Sequence, residues 1–234
     1  MRGAPVTARR VVCWRHGRTA HNHDGVWQGQ LDTPLDEVGR RQAVDAAGAI
    51  AAGLMPGEPL VIVSSDLVRA SATAAALAAQ TGVQVRLDPR LREIDAGRWE
   101  GLTRAEIVEA GMGDELAAWL RGDDVRIGGG ERRGEVAARG GAAVREHAAG
   151  DDIHGGTLVV VAHGGLLRGA ILDVLGLPGQ RWDILGGLGN AHWAELLPGP
   201  AGWRLSAYNV RATPTANRFG VPPRVGDRLA EPQR

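Results

Sequence analysis

The chain has 234 residues, of which 44% are hydrophobic and 23% charged, and its 27 basic residues balance 27 acidic ones. This composition is typical of a globular protein, and the zero net charge argues against nucleic acids or acidic membranes as partners. The sequence contains no lysine, which excludes Schiff-base chemistry, a pyridoxal phosphate linkage and a P-loop. A phosphate group would have to be held by arginine, histidine, backbone N–H groups or a metal.

The chain has one cysteine, Cys13, which lies inside the first apolar run. A single cysteine cannot form an intrachain disulfide, and this fits a reducing compartment. No apolar run resembles a secretory signal or approaches the ~20 residues of a membrane span. We therefore expect a cytoplasmic protein that does not bind membranes.

Short apolar runs alternate with helical patterns along the chain. The runs that predict strands are residues 11–14, 60–63, 83–87, 157–162, 192–197 and 203–210. The patterns that predict helices are residues 36–54, 67–81, 131–147 and 166–175. This alternation predicts an α/β fold, a three-layer αβα sandwich around a mostly parallel sheet, in which the last two strands form an antiparallel pair at one edge.

Two segments depart from this alternation. Residues 98–130 are less regular, with short helices predicted at 103–110 and 114–120, and form either a small cap over a site or a plain surface loop. We expect residues 1–210 to form one domain. The proline-, glycine- and arginine-rich segment 211–234 is expected to be a poorly ordered tail.

Charged and imidazole side chains follow four of the predicted strands. Arg15 and His16 follow the first strand, Arg69 lies one helical turn beyond the second, Glu93 follows the third and His163 the fourth. In open parallel sheets, ligands bind beyond the carboxyl ends of the strands, so we expect these five residues to lie around one site.

These residue types suit phosphoryl transfer. A neutral imidazole is a competent nucleophile toward phosphorus, and arginine donates paired hydrogen bonds to phosphoryl oxygens. A carboxylic acid such as Glu93 can protonate the leaving oxygen, although Asp95 and Glu100 are nearby carboxylates that compete for this role. The residues alone therefore favour an enzyme that acts on phosphate esters.

Four motifs resemble those of the histidine phosphatase superfamily, also called the phosphoglycerate mutase-like family. RHGRTAHN resembles its R-H-G-x-T-x-x-N signature, and SSDLVRASATA its second motif. LREIDAGRWEGLT is similar to its glutamate motif and VVAHGGLLR to its second histidine motif. The motifs occur in the family's order, and the resemblance covers residues 9–210.

The resemblance implies roles for these residues. His16 would become a phosphohistidine, Arg15, Arg69 and His163 would hold the phosphoryl group, and Glu93 would act first as acid and then as base. Further phosphate or substrate contacts are implied for Thr19, Asn22, Gln28 and the backbone of Gly164, and Gly17 would leave room for phosphorus. We expect a metal-independent phosphomonoesterase with no cofactor, acting on a small-molecule phosphate ester as a homodimer.

Three other functions remain open on this pattern. A phosphoglycerate mutase uses the same site but returns the phosphate to its product, and a broad-specificity phosphatase would differ only in its substrate range. An inactive adaptor would typically have lost a motif residue, and none is lost here. LREIDAGRWEGLT resembles the phosphatase branch more than the mutase branch.

Three further segments report on the substrate. QGQLDTPLDEVGR, GGLGNAHW and WRLSAYN resemble a branch of the family, the actinobacterial glucosyl-3-phosphoglycerate phosphatases, which implies a phosphorylated organic acid that carries a sugar. Arginine suits a carboxylate, and the candidates for this contact are Arg18, Arg132 and Arg168. The candidates for sugar contacts are Trp27, Gln28, Gln30 and Asn190. Arg132 also stands where the family often has a serine.

Overall fold

A six-stranded sheet with the order β3-β2-β4-β1-β5-β6 organises the computed structural model, which describes residues 8–200 and 202–213. Strands β1 to β4 run parallel, whereas β5 pairs antiparallel with both β1 and β6. The strands are β1 Arg10–Arg15, β2 Leu60–Ser64, β3 Val85–Leu87, β4 Thr157–Ala162, β5 Trp193–Gly199 and β6 Gly202–Val210. The predicted parallel sheet with an antiparallel pair at one edge is confirmed. The expected tail lies outside the described residues from position 214 onward.

Four long helices cover the sheet and lie where the sequence predicts them, with ends that differ by up to two residues. The helices are α1 Ala20–Asp24, α2 Glu37–Ala52, α3 Val68–Thr81, α4 Arg104–Ile107, α5 Gly113–Arg121, α6 Arg133–Ala148 and α7 Gly164–Val174. Sequence analysis missed α1, which is set by the capping box of Thr19 and Asn22 and ended by Gly25 at φ 71°. No helix in the described residues combines the length and apolarity needed to cross a membrane.

Alternate residues of β1 belong to two different cores, as expected for a strand that is covered on both faces. Val12 and Trp14 pack in a cluster with apolar residues of α2 and α3. Val11 and Cys13 pack in a second cluster with apolar residues of α6 and α7. The helices therefore form one layer on each side of the sheet, which confirms the three-layer sandwich.

Residues 98–130, here called the cap, fold into helices and turns instead of an irregular loop. Helix α4 begins at the capping box of Thr103 and Glu106, and a π-helical turn joins it to α5. Trp119 of α5 is 6% exposed and packs edge-on against Trp27 and Trp99, with ring centroids 6.0 and 6.4 Å away. These aromatic contacts fix the cap over the carboxyl ends of the strands, as the cap alternative requires.

Candidate active site

A cavity of about 720 Å³ lies between the carboxyl ends of the strands and the cap. Its wall contains five arginines and a single glutamate, Glu93, so its charge favours an anionic ligand. The arginines are Arg15, Arg69, Arg104, Arg133 and Arg168. Strands β1 and β2 and helix α7 thus bring several of the predicted residues to one place.

His16 follows β1 directly and lies in the cavity wall with 2% of its surface exposed. Its Nδ1 lies 2.7 Å from the carbonyl oxygen of Gly17, which can only accept, so the neutral ring carries its proton on Nδ1. Burial, and then the charges of Arg15 and Arg69, lower the pKa of His16 well below 6.5. The unprotonated Nε2 is therefore available as a nucleophile at neutral pH.

Two arginines flank His16 and are held in different ways. Arg69 donates from Nη1 to the Leu31 carbonyl at 2.6 Å and from Nη2 to the Gly29 carbonyl at 2.7 Å. Arg15 donates from Nη1 to a backbone carbonyl, while its buried Nε has no acceptor among the described residues. Both side chains line the cavity, so both are placed to bind the oxygens of a phosphoryl group.

His163 follows β4 and lies behind the cavity wall, completely buried. Its Nδ1 accepts a hydrogen bond from Arg69 Nε at 3.2 Å, so the neutral ring carries its proton on Nε2, which lies 2.9 Å from the Ser65 hydroxyl. Burial, followed by the charge of Arg69, lowers its pKa well below 6.5. These contacts make His163 a positioning residue for Arg69, and a direct contact with phosphate stays a prediction.

Two amide side chains, Asn22 and Gln28, line the cavity and are oriented from behind by Thr19. The Thr19 hydroxyl donates to Gln28 Oε1 at 2.8 Å, and Asn22 Oδ1 accepts from Thr19 N at 3.2 Å and Asn190 Nδ2 at 3.0 Å. Since both amide oxygens have donors and no described residue accepts from the NH₂ groups, these groups are placed to donate to an anion. Thr19 itself is fully buried and lies outside the cavity wall, so its direct contact with the substrate stays a prediction.

Glu93 lines the cavity and is anchored at the start of helix α7. Its carboxylate accepts from Gly165 N at 2.9 Å, Leu166 N at 2.8 Å and Ile94 N at 2.9 Å. A Cβ at position 165 would lie 2.6 Å from Glu93 Oε1, so only glycine allows this close approach. The expected backbone contact of Gly164 with phosphate stays a prediction, because Gly165, not Gly164, lines the cavity.

The carboxylates that compete with Glu93 have structural partners instead. Asp95 accepts from Gly97 N at 2.9 Å, and Glu100 accepts from Gln30 N at 2.7 Å. Neither side chain lines the cavity. Of the three acidic residues considered from sequence, Glu93 is therefore the one placed to act on a bound ester.

The loop that carries Glu93 is fastened by Arg139 of α6, a residue that sequence analysis missed. Arg139 donates to the carbonyls of Arg92 and Glu93 at 2.7 and 2.9 Å. It also pairs with Glu131 at 2.7 Å, and Glu131 in turn accepts from Asp95 N at 2.9 Å. Nothing in the sequence around Arg139 distinguishes it from the other arginines, since the carbonyls of Arg92 and Glu93 that it binds lie 47 and 46 residues away.

A cluster of two arginines and two tryptophans forms the cavity wall beneath the cap, and we call it the cap corner. Its members are Trp119, Arg133, Arg168 and Trp182. The guanidinium carbon of Arg133 lies 3.6 Å from the ring centroid of Trp119 and 5.1 Å from that of Trp182. The guanidinium carbon of Arg168 lies 5.3 Å from the same Trp182 centroid. Sequence analysis named Arg168 but missed Arg133.

Several expected substrate contacts lie elsewhere in the structure. The candidates outside the cavity wall are Arg18, Gln30, Arg132 and Asn190. Arg18 pairs with Asp36 at 2.7 Å, and Arg132 donates to the Asp124 carbonyl. Gly17 is also explained differently, because a Cβ there would lie 2.3 Å from the Gly39 carbonyl oxygen, so this glycine allows α2 to approach β1 rather than leaving room for phosphorus.

Comparisons with known proteins agree on one family. Residues 11–211 match the model of the histidine phosphatase superfamily, branch 1. The chain is 44% identical to the glucosyl-3-phosphoglycerate phosphatase of Mycobacterium tuberculosis, covering 88% of this chain and 97% of that protein, and 43% identical to that of Mycolicibacterium vanbaalenii, with the same coverage. A solved mycobacterial glucosyl-3-phosphoglycerate phosphatase in complex with VO3 superimposes with a TM-score of 0.77 at 44% identity, over 87% of this chain and 100% of that one.

Proposed function

This chain belongs to the histidine phosphatase superfamily and is a phosphatase, and from that premise we propose that it hydrolyses glucosyl-3-phosphoglycerate through a phosphohistidine on His16. The observation that carries the chemistry is the cavity wall itself. It combines a neutral imidazole with a free Nε2, two flanking arginines and one anchored carboxylate. The substrate is supported by the 44% identity to an enzyme of that name over 97% of its length.

The first chemical step transfers the phosphoryl group to the enzyme. His16 Nε2 attacks phosphorus, the bond to the ester oxygen breaks, and the leaving alkoxide takes a proton from Glu93. Arg15 and Arg69 balance the charge on the phosphoryl oxygens as it is transferred. The Gly17 carbonyl holds the proton on His16 Nδ1, so the ring presents Nε2 throughout.

The second step returns the enzyme to its starting state. Glu93, now a carboxylate, takes a proton from water, and the oxygen of that water attacks the phosphorus of phospho-His16. The nitrogen–phosphorus bond breaks and inorganic phosphate leaves. Asn22 and Gln28 donate their free NH₂ groups to the phosphoryl oxygens in both steps, because Thr19 fixes the opposite ends of these amides.

The substrate assignment is tested by comparing kcat/KM across a panel of phosphate esters. Glucosyl-3-phosphoglycerate should exceed 3-phosphoglycerate and simple sugar phosphates by at least ~10-fold, which requires only ~1.4 kcal/mol of differential transition-state binding. A flat profile would contradict the assignment and indicate a general phosphatase. Formation of 2-phosphoglycerate from 3-phosphoglycerate would instead indicate a mutase, and no turnover of any ester an inactive adaptor.

Metal independence is supported by the arginines that surround His16, since they supply the positive charge that a metal would otherwise provide. Incubation with EDTA should leave kcat unchanged in an assay with p-nitrophenyl phosphate. Loss of activity that returns when a divalent metal is added would contradict this part of the proposal.

The remaining proposals concern the setting of the enzyme. We propose that it works in the cytoplasm as a homodimer on a small-molecule ester, that it binds neither nucleic acid nor membranes, and that residues 1–210 act as one domain. Strand β6 lies at the edge of the sheet formed by the described residues, so its outer backbone groups are placed to pair with a second copy. A mass near 24.6 kDa by light scattering at micromolar concentration would reject the dimer.

A further inference from the structure

The cap corner holds two positive charges whose acidic neighbours lie beyond ion-pair distance: Asp123 and Asp124 act on Arg133 in this way, and Asp183 and Glu93 on Arg168. Arg133 donates to the carbonyls of Asp123 at 3.2 Å and Trp119 at 2.8 Å, and Arg168 to the carbonyl of Trp182, and neither forms an ion pair within the described residues. Each guanidinium carries five N–H donors. Most of these donors are therefore left for another acceptor.

Three buried donors in the cap corner have no acceptor among residues 8–200 and 202–213. They are Nε of Arg133, Nε of Arg168 and Nε1 of Trp182. Arg133 and Trp182 are each only 6% exposed, so water does not readily serve these groups. A buried unpaired donor costs about 1–3 kcal/mol, so the donors of the cap corner are incompletely satisfied by the described residues, and a ligand in the cavity would meet the terminal N–H groups of Arg133 and Arg168, which line it.

The two arginines also repel each other. Burial, and then the charge of Arg168, lowers the pKa of Arg133 to about 10, so this group remains a cation at neutral pH. Burial also lowers the pKa of Arg168. An anion between the two guanidinium groups would relieve both the repulsion and the loss of hydration.

The cap corner lies a short distance from the reacting groups. Gly165, whose N–H binds Glu93, and Arg168 are three residues apart on α7, so they share one face and are separated by about 4.5 Å along the axis. His16 and Arg168 line the same cavity, and the charge of Glu93 acts on Arg168, so one ligand can place an anionic group at each of the two positions.

We infer that the cap corner binds the carboxylate of a phosphorylated acid substrate, with Arg168 and Arg133 as its donors and the rings of Trp119 and Trp182 excluding water around it. This inference rests on the proposed function, because it assigns a place to the second anionic group of that substrate. Arginine is suited to this task because its planar donors match a carboxylate. The cap corner thereby separates phosphorylated acids from phosphorylated alcohols.

The test compares 3-phosphoglycerate with glycerol 3-phosphate, which differ in the carboxylate alone. The wild-type enzyme should prefer 3-phosphoglycerate in kcat/KM by at least ~10-fold. In Arg168→Gln the ratio of the two kcat/KM values should decrease about 10-fold. In Arg168→Lys, which keeps a point charge, the ratio should lie between those of the wild type and Arg168→Gln. Arg121→Gln is the matched control, because Arg121 lies on α5 of the cap, pairs with Asp123 and does not line the cavity. It should keep the wild-type ratio.

A binding measurement separates this inference from the proposed function. Calorimetric titration of His16→Ala with the same two ligands requires no turnover, and 3-phosphoglycerate should bind at least ~10-fold tighter than glycerol 3-phosphate. The double variant His16→Ala/Arg168→Gln should lose this difference. Equal binding of the two ligands by His16→Ala, or an unchanged difference in the double variant, would overturn the inference. Preferred binding of 3-phosphoglycerate by His16→Ala, together with no hydrolysis of glucosyl-3-phosphoglycerate by the wild-type enzyme, would leave the inference standing and reject the proposed function.

Discussion

The two ends of the cavity are built in different ways. At the sheet end, His16 and His163 follow strands directly and Arg69 lies in the first turn after β2, so strand pairing fixes their positions. At the cap end, Arg133 and Trp119 come from segments that meet only when the cap packs on α6. The sheet end is thus set by backbone hydrogen bonds and the cap end by side-chain packing.

This difference suggests that the two ends have separate roles, one in phosphoryl transfer and the other in substrate recognition. In the proposed mechanism, the residues held by the sheet act on the phosphoryl group, which every substrate of a phosphatase shares. The residues held by the cap are proposed to contact the part of the substrate that varies. Changes at the sheet end should therefore affect all esters alike, and changes at the cap end should depend on the ester, with Glu93 between the two because it acts on the leaving group.

The largest effect is expected for His16→Ala, which removes the nucleophile. Turnover of every ester should fall by at least ~10³-fold, and the wild type should form an acid-labile, alkali-stable phosphoenzyme that the variant does not form. Quench-flow with a radiolabelled ester measures both. Substantial turnover by a variant that circular dichroism shows to be folded would contradict the assignment of His16 as the nucleophile.

The pH dependence of stability should report the two buried neutral histidines. Their pKa values lie below 6.5 in the folded state, so between pH 6.5 and those lower values the unfolded chain binds more protons than the folded one. Stability is then fully present above about pH 6.5 and falls below it, by up to about 2.7 kcal/mol per pH unit for two groups. Urea unfolding at pH 7.5, 6.5 and 5.5 measures this slope. His16→Asn should reduce it by about half, and an unchanged slope would contradict the assignment.

Glu93→Gln should produce an effect that depends on the leaving group. Hydrolysis of alkyl phosphates should fall about 10²-fold, and that of p-nitrophenyl phosphate less than about 10-fold, because nitrophenolate leaves without a proton. Glu100→Gln is the control, since Glu100 also binds backbone N–H groups but lies outside the cavity wall. Equal losses on both esters for Glu93→Gln would mean that Glu93 has a structural role only.

Arg139→Gln should reproduce the Glu93 pattern in weaker form. Releasing the Glu93 loop should slow alkyl phosphate hydrolysis about 10-fold, with a smaller loss on p-nitrophenyl phosphate. The double variant with Glu93→Gln should lose little more than Glu93→Gln alone, because both changes act through one group. The control is Arg145→Gln on the same helix, where Arg145 pairs with Asp173 at 2.7 Å. Additive losses would show that Arg139 acts independently of Glu93.

The smallest effects are expected for Arg18→Gln and Arg132→Gln, which lie outside the cavity wall. The kcat/KM for 3-phosphoglycerate should change by less than about 2-fold in each. A decrease in kcat/KM for 3-phosphoglycerate that is absent for glycerol 3-phosphate would show that the carboxylate-binding region extends beyond the cap corner.

The sheet end could be predicted from sequence because a residue that follows a buried strand must lie at its carboxyl end. The positions of Arg15 and His16 are predicted by the apolar run before them, and the four long helices are predicted by helical patterns in their own sequences. At the cap end, the sequence pointed to Arg168 but not to Arg133, because the choice between Arg132 and Arg133 depends on the start of α6, where one residue turns a side chain by about 100°. The role of Arg139 could not be predicted for a similar reason, because only the packing of α6 brings it to its carbonyl partners.

The burial of Cys13 should make the enzyme resistant to oxidation and alkylation of its thiol. The thiol lies in the centre of β1, fully buried, and burial raises its pKa to about 12. A thiol in this state reacts slowly with peroxides and alkylating agents, and the proposed nucleophile, His16, three residues further along the chain, is an imidazole. The enzyme should therefore keep working through oxidative stress that inactivates phosphatases with a catalytic thiolate, and assays should need no reducing agent.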